Sequence, residues 1–132
     1  MKIKHYKDLQ IWQKGVDIAD NIYSATENFP KSEMYGLSSQ MRRAGISISS
    51  NIAEGFARNS KKEYKQYLSV ALGSCAELET QLIIANRRNY IEKDKLEEII
   101  ENINHESRMI MSLINRIKDS ITSDERRVTS DE

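Results

Sequence analysis

Six basic side chains between positions 42 and 65 have the residue types and spacing needed to neutralise phosphate groups. Tyr64 and Tyr67 are interleaved with the last of them, and residues 31–65 carry seven basic and three acidic side chains, a net charge of +4. Lysine and arginine displace counterions from a nucleic-acid backbone, so this segment predicts weak binding of structured RNA or DNA. A solvated helix face gives the same charge pattern, and that interpretation stays open. The six candidate residues are Arg42, Arg43, Arg58, Lys61, Lys62 and Lys65.

A second group is polar and borders an apolar stripe. Ser47, Asn51 and Glu54 recur at helical spacing, and Glu77 follows farther along the chain. We expect these four, together with Arg43, to form a hydrogen-bonded cluster partly inside the fold, because buried charges persist only when they are paired. Such a cluster either fixes the register of neighbouring helices or contacts a ligand or partner.

The remaining reactive side chains form no pattern typical of catalysis. A di-metal helical bundle needs Glu-x-x-His pairs, but His105 has Asn102 three residues before it, and His5 lies near the start of the chain. Ser74 and Cys75 have no histidine nearby in the sequence to activate them. The sequence therefore predicts a protein that is not an enzyme, with no metal and no cofactor.

Cysteine usage and hydropathy indicate where the protein works. Cys75 is the only cysteine, so no internal disulfide is possible, and its apolar neighbours Ala71, Leu72 and Leu78 predict that it is buried. The first residues contain no apolar leader, and no stretch approaches the ~18 apolar residues that a membrane-spanning helix needs. We expect a cytoplasmic protein with no membrane contact.

The elements that must position these residues are helices. Hydrophobic residues make up 39% and charged residues 30% of the 132 positions, with five glycines and one proline, which favours long helices with one buried side. The first helix is expected to begin with Asp8 as its N-cap and to end before Pro30, because the residue preceding proline avoids helical angles. Its main apolar stripe is predicted to be Leu9, Trp12, Val16, Ala19 and Tyr23, widened by Ile11, Ile18 and Ile22.

Three further helices follow from apolar periodicity. The second carries Leu37, Met41, Ala44, Ile48 and Ile52, and it is predicted to end near 55–56 with Gly55 at its C′ position. The third begins at a capping box made by Ser60 and Glu63. Gly73 in its middle predicts a close approach of another helix. The fourth begins within 92–94, and acidic residues crowd its first turns.

Four amphipathic helices joined by short loops predict an all-α protein, an antiparallel up-down-up-down four-helix bundle over residues 1–121. Residues 122–132 lack apolar periodicity and are predicted to be a disordered polar tail. Residues 92–132 carry seven basic and eleven acidic side chains, a net charge of −4. The apolar stripes are wider than a monomer requires, which makes these residues candidate contacts between subunits: Ile11, Ile46, Ile99, Ile100, Leu113 and Ile114.

Several motifs in fixed order resemble a known family over about residues 8 to 118. They are DLQIWQK (8–14), FP (29–30), EMYGL (33–37), QMRRA (40–44), SISSNIAEG (47–55), KEY (62–64), ALGS (71–74) and ELETQL (77–82). They are similar to those of the bacterial four-helix-bundle proteins encoded in intervening sequences of 23S ribosomal RNA genes, some of which carry a ribosomal-protein name.

The resemblance implies a small cytoplasmic bundle without known enzymatic activity. Relatives of that family include the accessory proteins of diversity-generating retroelements, which form barrel-like homopentamers and bind nucleic acid and a reverse transcriptase through a strongly basic surface. The resemblance therefore implies a homo-oligomer, a pentamer by analogy. The net charge of zero departs from the strongly basic pattern, so only weak nucleic-acid binding is expected. The alternative is a protein–protein interaction scaffold that uses the polar cluster and the acidic fourth helix.

Overall fold

The chain folds into four helices packed in a ring. The structure is a computed structural model that describes residues 3–130, and the side chains of residues 3–127. The helices are α1 (Gln10–Thr26), α2 (Leu37–Phe56), α3 (Lys61–Arg87) and α4 (Lys93–Ser130), and residues 3–130 contain no strand. Each helix packs on the next, α1 also packs on α4, and within the described residues the backbones of diagonal helices stay apart. With short connections this confirms the predicted four-helix bundle.

The core confirms most of the predicted stripes and corrects that of α1. On α2, Met41, Ile48 and Ile52 are fully buried, as expected. On α1, however, the buried stripe is Ile11, Gly15, Ile18, Ile22 and Thr26. Val16 and Tyr23, predicted to lead the stripe, are 39% and 41% exposed. Relative to the predicted orientation, α1 is rotated so that Ile11, Ile18 and Ile22, predicted to widen the stripe, form its centre, and the small Gly15 lies between them.

The start of α1 also differs from the prediction. Asp8 lies in a short 3-10 helix (Tyr6–Asp8), and Leu9 is the N-cap of α1, with no side-chain cap. His5 Nδ1 instead accepts a hydrogen bond from the Lys7 amide at 3.2 Å, which stabilises the preceding turn. The other end confirms the expectation, since α1 ends at Thr26, before Pro30.

Neither Gly55 nor Gly73 has the role predicted for it. Gly55 lies inside α2 and is not a C′ residue; a β-carbon there would lie 2.8 Å from Tyr67 Cβ and 3.0 Å from Tyr64 Cδ1 on α3. Gly73 meets no atom within 4 Å of a β-carbon position, so the predicted close helix approach at Gly73 is wrong. It occurs at Gly55, because α2 and α3 converge at the turn that joins them.

Both ends of α3 are capped by side-chain or backbone geometry. The Ser60 hydroxyl accepts a hydrogen bond from the Glu63 amide at 3.3 Å, which confirms the predicted cap. After Arg87 the chain reverses at Asn89, whose φ of 62° is left-handed, and the Tyr90 amide donates to the Ala85 carbonyl at 2.9 Å. Asparagine tolerates this conformation better than most residues.

The C-terminal segment differs from the prediction of disorder. The helix α4 continues through residues 122–130, while 131–132 lie outside the described residues. Lys61 of α3 contacts this extension, since its Nζ lies 2.7 Å from Asp124 Oδ2 and 2.6 Å from Ser120 Oγ. Among the described residues, a solvated polar contact therefore links α3 to the segment that lacks an apolar stripe.

Five of the six candidate subunit contacts lie in the core or pack against it. Ile11, Ile99 and Ile114 are buried, and among the predicted set only Ile46, at 42%, is a large exposed hydrophobic side chain. A different apolar set is exposed along α3: Val70, Ile83 and Ile84. By length and composition this helix also qualifies as a membrane span, which differs from the prediction that no stretch of the chain approaches one. In the bundle 44% of its apolar window is buried, and core helices of soluble proteins meet the same criterion.

Candidate nucleic-acid interface

The bundle divides the six predicted basic residues into two groups. Arg42 and Arg43 lie in the first half of α2, whereas Arg58, Lys61, Lys62 and Lys65 surround the turn from α2 to α3. From position 42 to the end of α2 at Phe56 the helix rises by about 20 Å. The sequence cluster is therefore two separate regions, of which the turn is the richer in charge.

Arg42 serves the packing of α1 against α2. Its Nε donates to Thr26 Oγ1 at 2.9 Å, and its guanidinium lies 4.6 Å from the centre of the Tyr23 ring. Arginine stacks well on aromatic rings, so this side chain covers the outer edge of the α1–α2 interface. The neighbouring Arg43 is exposed.

Arg58 is also engaged by its surroundings. Its guanidinium lies 4.9 Å from the Tyr67 ring centre, donates to Tyr67 Oη at 2.6 Å, and pairs with Glu54 at 3.7 Å. Arg58 and Tyr67 line a surface cavity of about 390 Å³ together with Glu63, Gln66 and Val70. The carboxylate of Glu63 makes this cavity a poor site for an anion.

Lys61 binds side chains of α4. Its ammonium pairs with Asp124 at 2.7 Å, and both side chains are about half exposed. The hydrogen bond from Lys61, and then its positive charge, lower the pKa of Asp124. Because the pair is solvated, its contribution to stability is small, and its main effect is to hold the lysine in place.

The remaining two lysines lie beside a third, Lys118, which the sequence did not predict as a site residue. Lys62 and Lys65 of α3 share a surface cleft of about 480 Å³ with Lys118 of α4. Within residues 3–127 none of the three ammonium groups has an ion-pair partner, and no carboxylate lines the cleft. We call this site the lysine cleft; its lining residues are Lys62, Lys65, Gln66, Lys118, Ile121 and Thr122. No sequence signal links Lys118 to the other two, since only the packing of α3 against α4 brings them together.

The predicted polar cluster forms in part, with a different membership. Asn51 Nδ2 donates to Ser47 Oγ at 2.9 Å, and Ser74 of α3 donates to the same Ser47 oxygen at 2.8 Å. Glu54 and Glu77 are exposed and bond elsewhere: Glu54 pairs with Arg58, and Glu77 accepts from Gln81 Nε2 at 3.3 Å. A neutral network of three side chains thus joins α2 to α3, and the charged residues stay outside it.

The most unusual ionisable group among the described residues was not predicted. Glu106 of α4 is fully buried, and neither of its carboxyl oxygens has a hydrogen-bond partner. Burial raises the pKa of Glu106 to about 8, against a smaller lowering by the charge of Lys14. The sequence does contain a signal for its burial, because Glu106 occupies a position in the apolar α4 stripe formed by Ile99, Ile103 and Ile110.

Cys75 lies close enough to this carboxyl group to sense its charge. Burial raises the pKa of the Cys75 thiol to about 11, a hydrogen bond with Ser107 opposes this, and the charges of Glu106 and Glu79 add to it. The cysteine is buried, as its apolar neighbours predict. A protonated thiol is a weak nucleophile, so Cys75 is a packing residue.

Residues 3–127 contain no group of three or more His, Cys, Asp or Glu side chains placed to hold a metal ion. What the described part of the molecule offers is a basic cleft, a neutral polar network and exposed apolar side chains on α2 and α3. Together with the helix packing, these features define a small all-α four-helix bundle.

The family assignment agrees with this class. The model of the 23S rRNA-intervening sequence protein family matches residues 7–112, and the chain belongs to that family. No curated protein matches the sequence.

A solved structure shares the fold. It is a crystal structure at 1.70 Å of a protein of unknown function from the S23 ribosomal protein family of Bacteroides thetaiotaomicron VPI-5482. The identity is 24%, the TM-score 0.74, and the match covers 80% of this chain and 95% of that one. At this identity the similarity establishes the four-helix architecture alone.

Proposed function

We propose that this protein is a non-catalytic, cytoplasmic homo-oligomer that binds structured RNA or DNA weakly. The observation that carries the proposal is the lysine cleft, where Lys62, Lys65 and Lys118 converge without a carboxylate among the lining residues. Phosphate groups are the natural ligands of such a site, because each contact releases counterions from the nucleic acid.

The binding is weak because three of the six predicted basic residues are already engaged. Arg42 packs on Tyr23, Arg58 pairs with Glu54, and Lys61 pairs with Asp124. The whole chain has a net charge of zero, so long-range attraction does not supplement the cleft. Arg43, exposed on α2, is an additional contact in this proposal rather than part of the same site.

Assembly would compensate for a weak single site. Ile46 on α2 and Val70, Ile83 and Ile84 on α3 are large apolar side chains that are 40% or more exposed in the isolated chain. Contact between subunits would remove them from water, and each copy would bring another lysine cleft to the assembly. The family resemblance suggests a pentamer as the subunit number.

The test is the salt dependence of binding to a fluorescently labelled RNA hairpin. The triple variant K62Q/K65Q/K118Q is compared with the wild-type protein between about 50 and 300 mM salt, a range over which screening changes strongly. Removal of three phosphate contacts is expected to reduce the slope of log K against log salt by about 2 to 3. Affinity at low salt should fall at least tenfold, roughly 0.5–1 kcal/mol for each lost contact.

The matched control is K4Q/K7Q/K31Q, which removes the same charge at exposed positions outside the cleft whose ammonium groups, like those of the cleft, have no ion-pair partner within residues 3–127. It is expected to retain most of the wild-type affinity and slope. If both triple variants lose binding equally, only net charge matters and the cleft is not the site. If the wild-type protein does not bind RNA or DNA at low salt, the nucleic-acid function is refuted.

The alternative function, a protein-interaction scaffold, draws on the same exposed apolar residues. The first half of α4 presents exposed carboxylates at Glu97, Glu98 and Glu101. A protein partner with basic and apolar groups would suit α3 and α4. Binding of such a partner that survives K62Q/K65Q/K118Q, without any RNA binding, would favour this function.

A further inference from the structure

Glu106 is placed where side chains of all four helices meet. It projects from α4, and a β-carbon added to Gly15 of α1 would lie 3.1 Å from Glu106 Oε2. The same point lies 3.3 Å from Ile48 Cγ2 and 3.3 Å from Ser49 Cβ on α2. From α3, Cys75 is close enough for its thiol to be affected by the carboxyl charge. The absence of a side chain at Gly15 therefore makes room for a carboxyl group at the centre of the bundle.

No hydrogen bond from the described residues compensates a negative charge at this position. Glu106 is 0% exposed, and both carboxyl oxygens lack a hydrogen-bond donor. Burying an unpaired carboxylate costs several kcal/mol, whereas the protonated acid is far less costly. The geometry alone thus favours the neutral form.

The charged and titratable groups around Glu106 are few. On α1, Lys14 is the cation whose charge acts on it, and the Lys14 ammonium donates to Asn102 Oδ1 at 3.2 Å. On α2, the packing residues Ile48 and Ser49 carry no charge. On α3, the neutral Cys75 faces it, and Glu79 is near that thiol; on α4, Ser107 bonds to the thiol. The Lys14 ammonium group therefore already donates a hydrogen bond to the side-chain amide of Asn102.

We propose that Glu106 is a proton-controlled lock at the centre of the bundle. With the acid protonated, α4 packs on α1 at Gly15 and the helices stay closed. Loss of the proton places an unpaired charge in the core and weakens the contact between α1 and α4, which is the sparsest of the four helix interfaces. The lock is independent of nucleic-acid binding and makes the stability of the bundle depend on pH.

The sign of this dependence follows from the direction of the pKa change. Burial raises the pKa of Glu106 from 4.5 to about 8 in the folded protein. Below 4.5 both folded and unfolded chains carry the proton, and the stabilisation is complete. Between 4.5 and 8 the unfolded chain releases it while the folded chain keeps it, so stability falls as the pH rises. Above 8 both are ionised and this dependence ends.

The experiment is urea unfolding of the wild-type protein and the Glu106→Gln variant at pH 5.5, 6.5 and 7.5. Glutamine keeps the shape and cannot ionise, so all other titrating groups cancel in the comparison. The unfolding constant of the wild-type protein relative to that of E106Q is expected to rise about tenfold for each pH unit. The control E101Q changes an exposed glutamate on the same helix and should follow the wild-type protein.

A ratio that stays constant from pH 5.5 to 7.5 would overturn the proposal. If E106Q does not fold, carbon NMR of the wild-type protein with labelled glutamate carboxyls gives the answer without a variant. One glutamate is then expected to titrate near pH 8, apart from the others. Titration of every glutamate below about pH 6 would refute the lock.

Discussion

The lysine cleft and the Glu106 site place ionisable groups in opposite environments of one small bundle. In the cleft, three lysines are gathered at the surface, where Lys62 and Lys118 are exposed and Lys65 is half-buried. At the centre, a single carboxyl group is isolated from water and lacks a hydrogen-bond donor. Burial raises the pKa of this acid to about 8, so at neutral pH it is held in its neutral form.

This difference in location predicts two kinds of effect, one on ligand binding and one on stability. Exposed lysines cost little to fold and are available for a phosphate ligand, so their effect should appear in binding and vanish at high salt. A buried carboxyl group is available to no ligand, and its effect should appear in stability and depend on pH. Salt dependence of binding and pH dependence of stability therefore distinguish the two sites.

The largest effect is expected from Glu106→Met. Methionine has a similar length and no ionisable group, so at pH 8 the variant should be more stable than the wild-type protein by about 2–4 kcal/mol. At pH 5, where the wild-type acid is protonated at little cost, the gain should shrink to about 1 kcal/mol or less. Urea unfolding at the two pH values measures both, and an equal gain at pH 5 and pH 8 would mean that ionisation is not involved.

Cys75 offers a second probe of the same dry interior. The thiol is buried and its pKa is raised to about 11, so at pH 7.5 it should react with a thiol reagent at least ~100-fold more slowly than in the urea-unfolded chain. Reaction rates in the two states, followed by absorbance, provide the comparison. Rapid labelling of the folded protein would show that the centre of the bundle is open to solvent.

Gly55 of α2 and Gly73 of α3 lie on neighbouring helices, but only Gly55 packs closely against another helix. Gly55→Ala places a β-carbon 2.8 Å from Tyr67 Cβ and should destabilise the bundle by about 1–3 kcal/mol. Gly73→Ala is the matched control, because a β-carbon at Gly73 meets nothing within 4 Å. It should stabilise α3 by ~1 kcal/mol through helix propensity. Thermal unfolding of the two variants should therefore shift in opposite directions, and a shift in the same direction would contradict the helix packing described.

The smallest effect is expected at the edge of the lysine cleft. Asp124→Asn removes the partner of Lys61 and frees a further cation near the cleft. RNA affinity at low salt should rise by about twofold, and this gain should disappear at high salt. Binding titrations at two salt concentrations measure the change. An unchanged affinity would show that Lys61 lies too far from the bound phosphates to contribute.

Helix count and most of the buried stripes were predictable, because apolar spacing and capping residues act locally. Met41, Ile48 and Ile52 are buried as their spacing predicts, and Ser60 caps α3 as its sequence context predicts. The rotation of α1 was not predictable in the same way. Val16 and Tyr23 fit a helical stripe as well as Ile18 and Ile22 do, and packing at Gly15 decides between them.

Prediction of the site residues from sequence has a similar limit. Arg42 and Arg43 adjoin in sequence, yet Arg42 packs on Tyr23 and Arg43 remains exposed. Lys118 joins Lys62 only through the packing of α3 on α4, which sequence spacing does not encode. Glu106 is different, since it occupies a position of the apolar α4 stripe, and that periodicity is visible in the sequence itself. Long-range pairing of helices is thus the information that local sequence patterns lack.

Native mass by light scattering, with and without a structured RNA at low and at high salt, tests the central claim most directly. The account predicts a stable oligomer of the 15.3 kDa chain that gains the mass of the RNA at low salt and loses it at high salt. A stable oligomer whose mass never changes with RNA would contradict the nucleic-acid function. A monomer at all concentrations would contradict the proposed assembly and the multiplied cleft that depends on it.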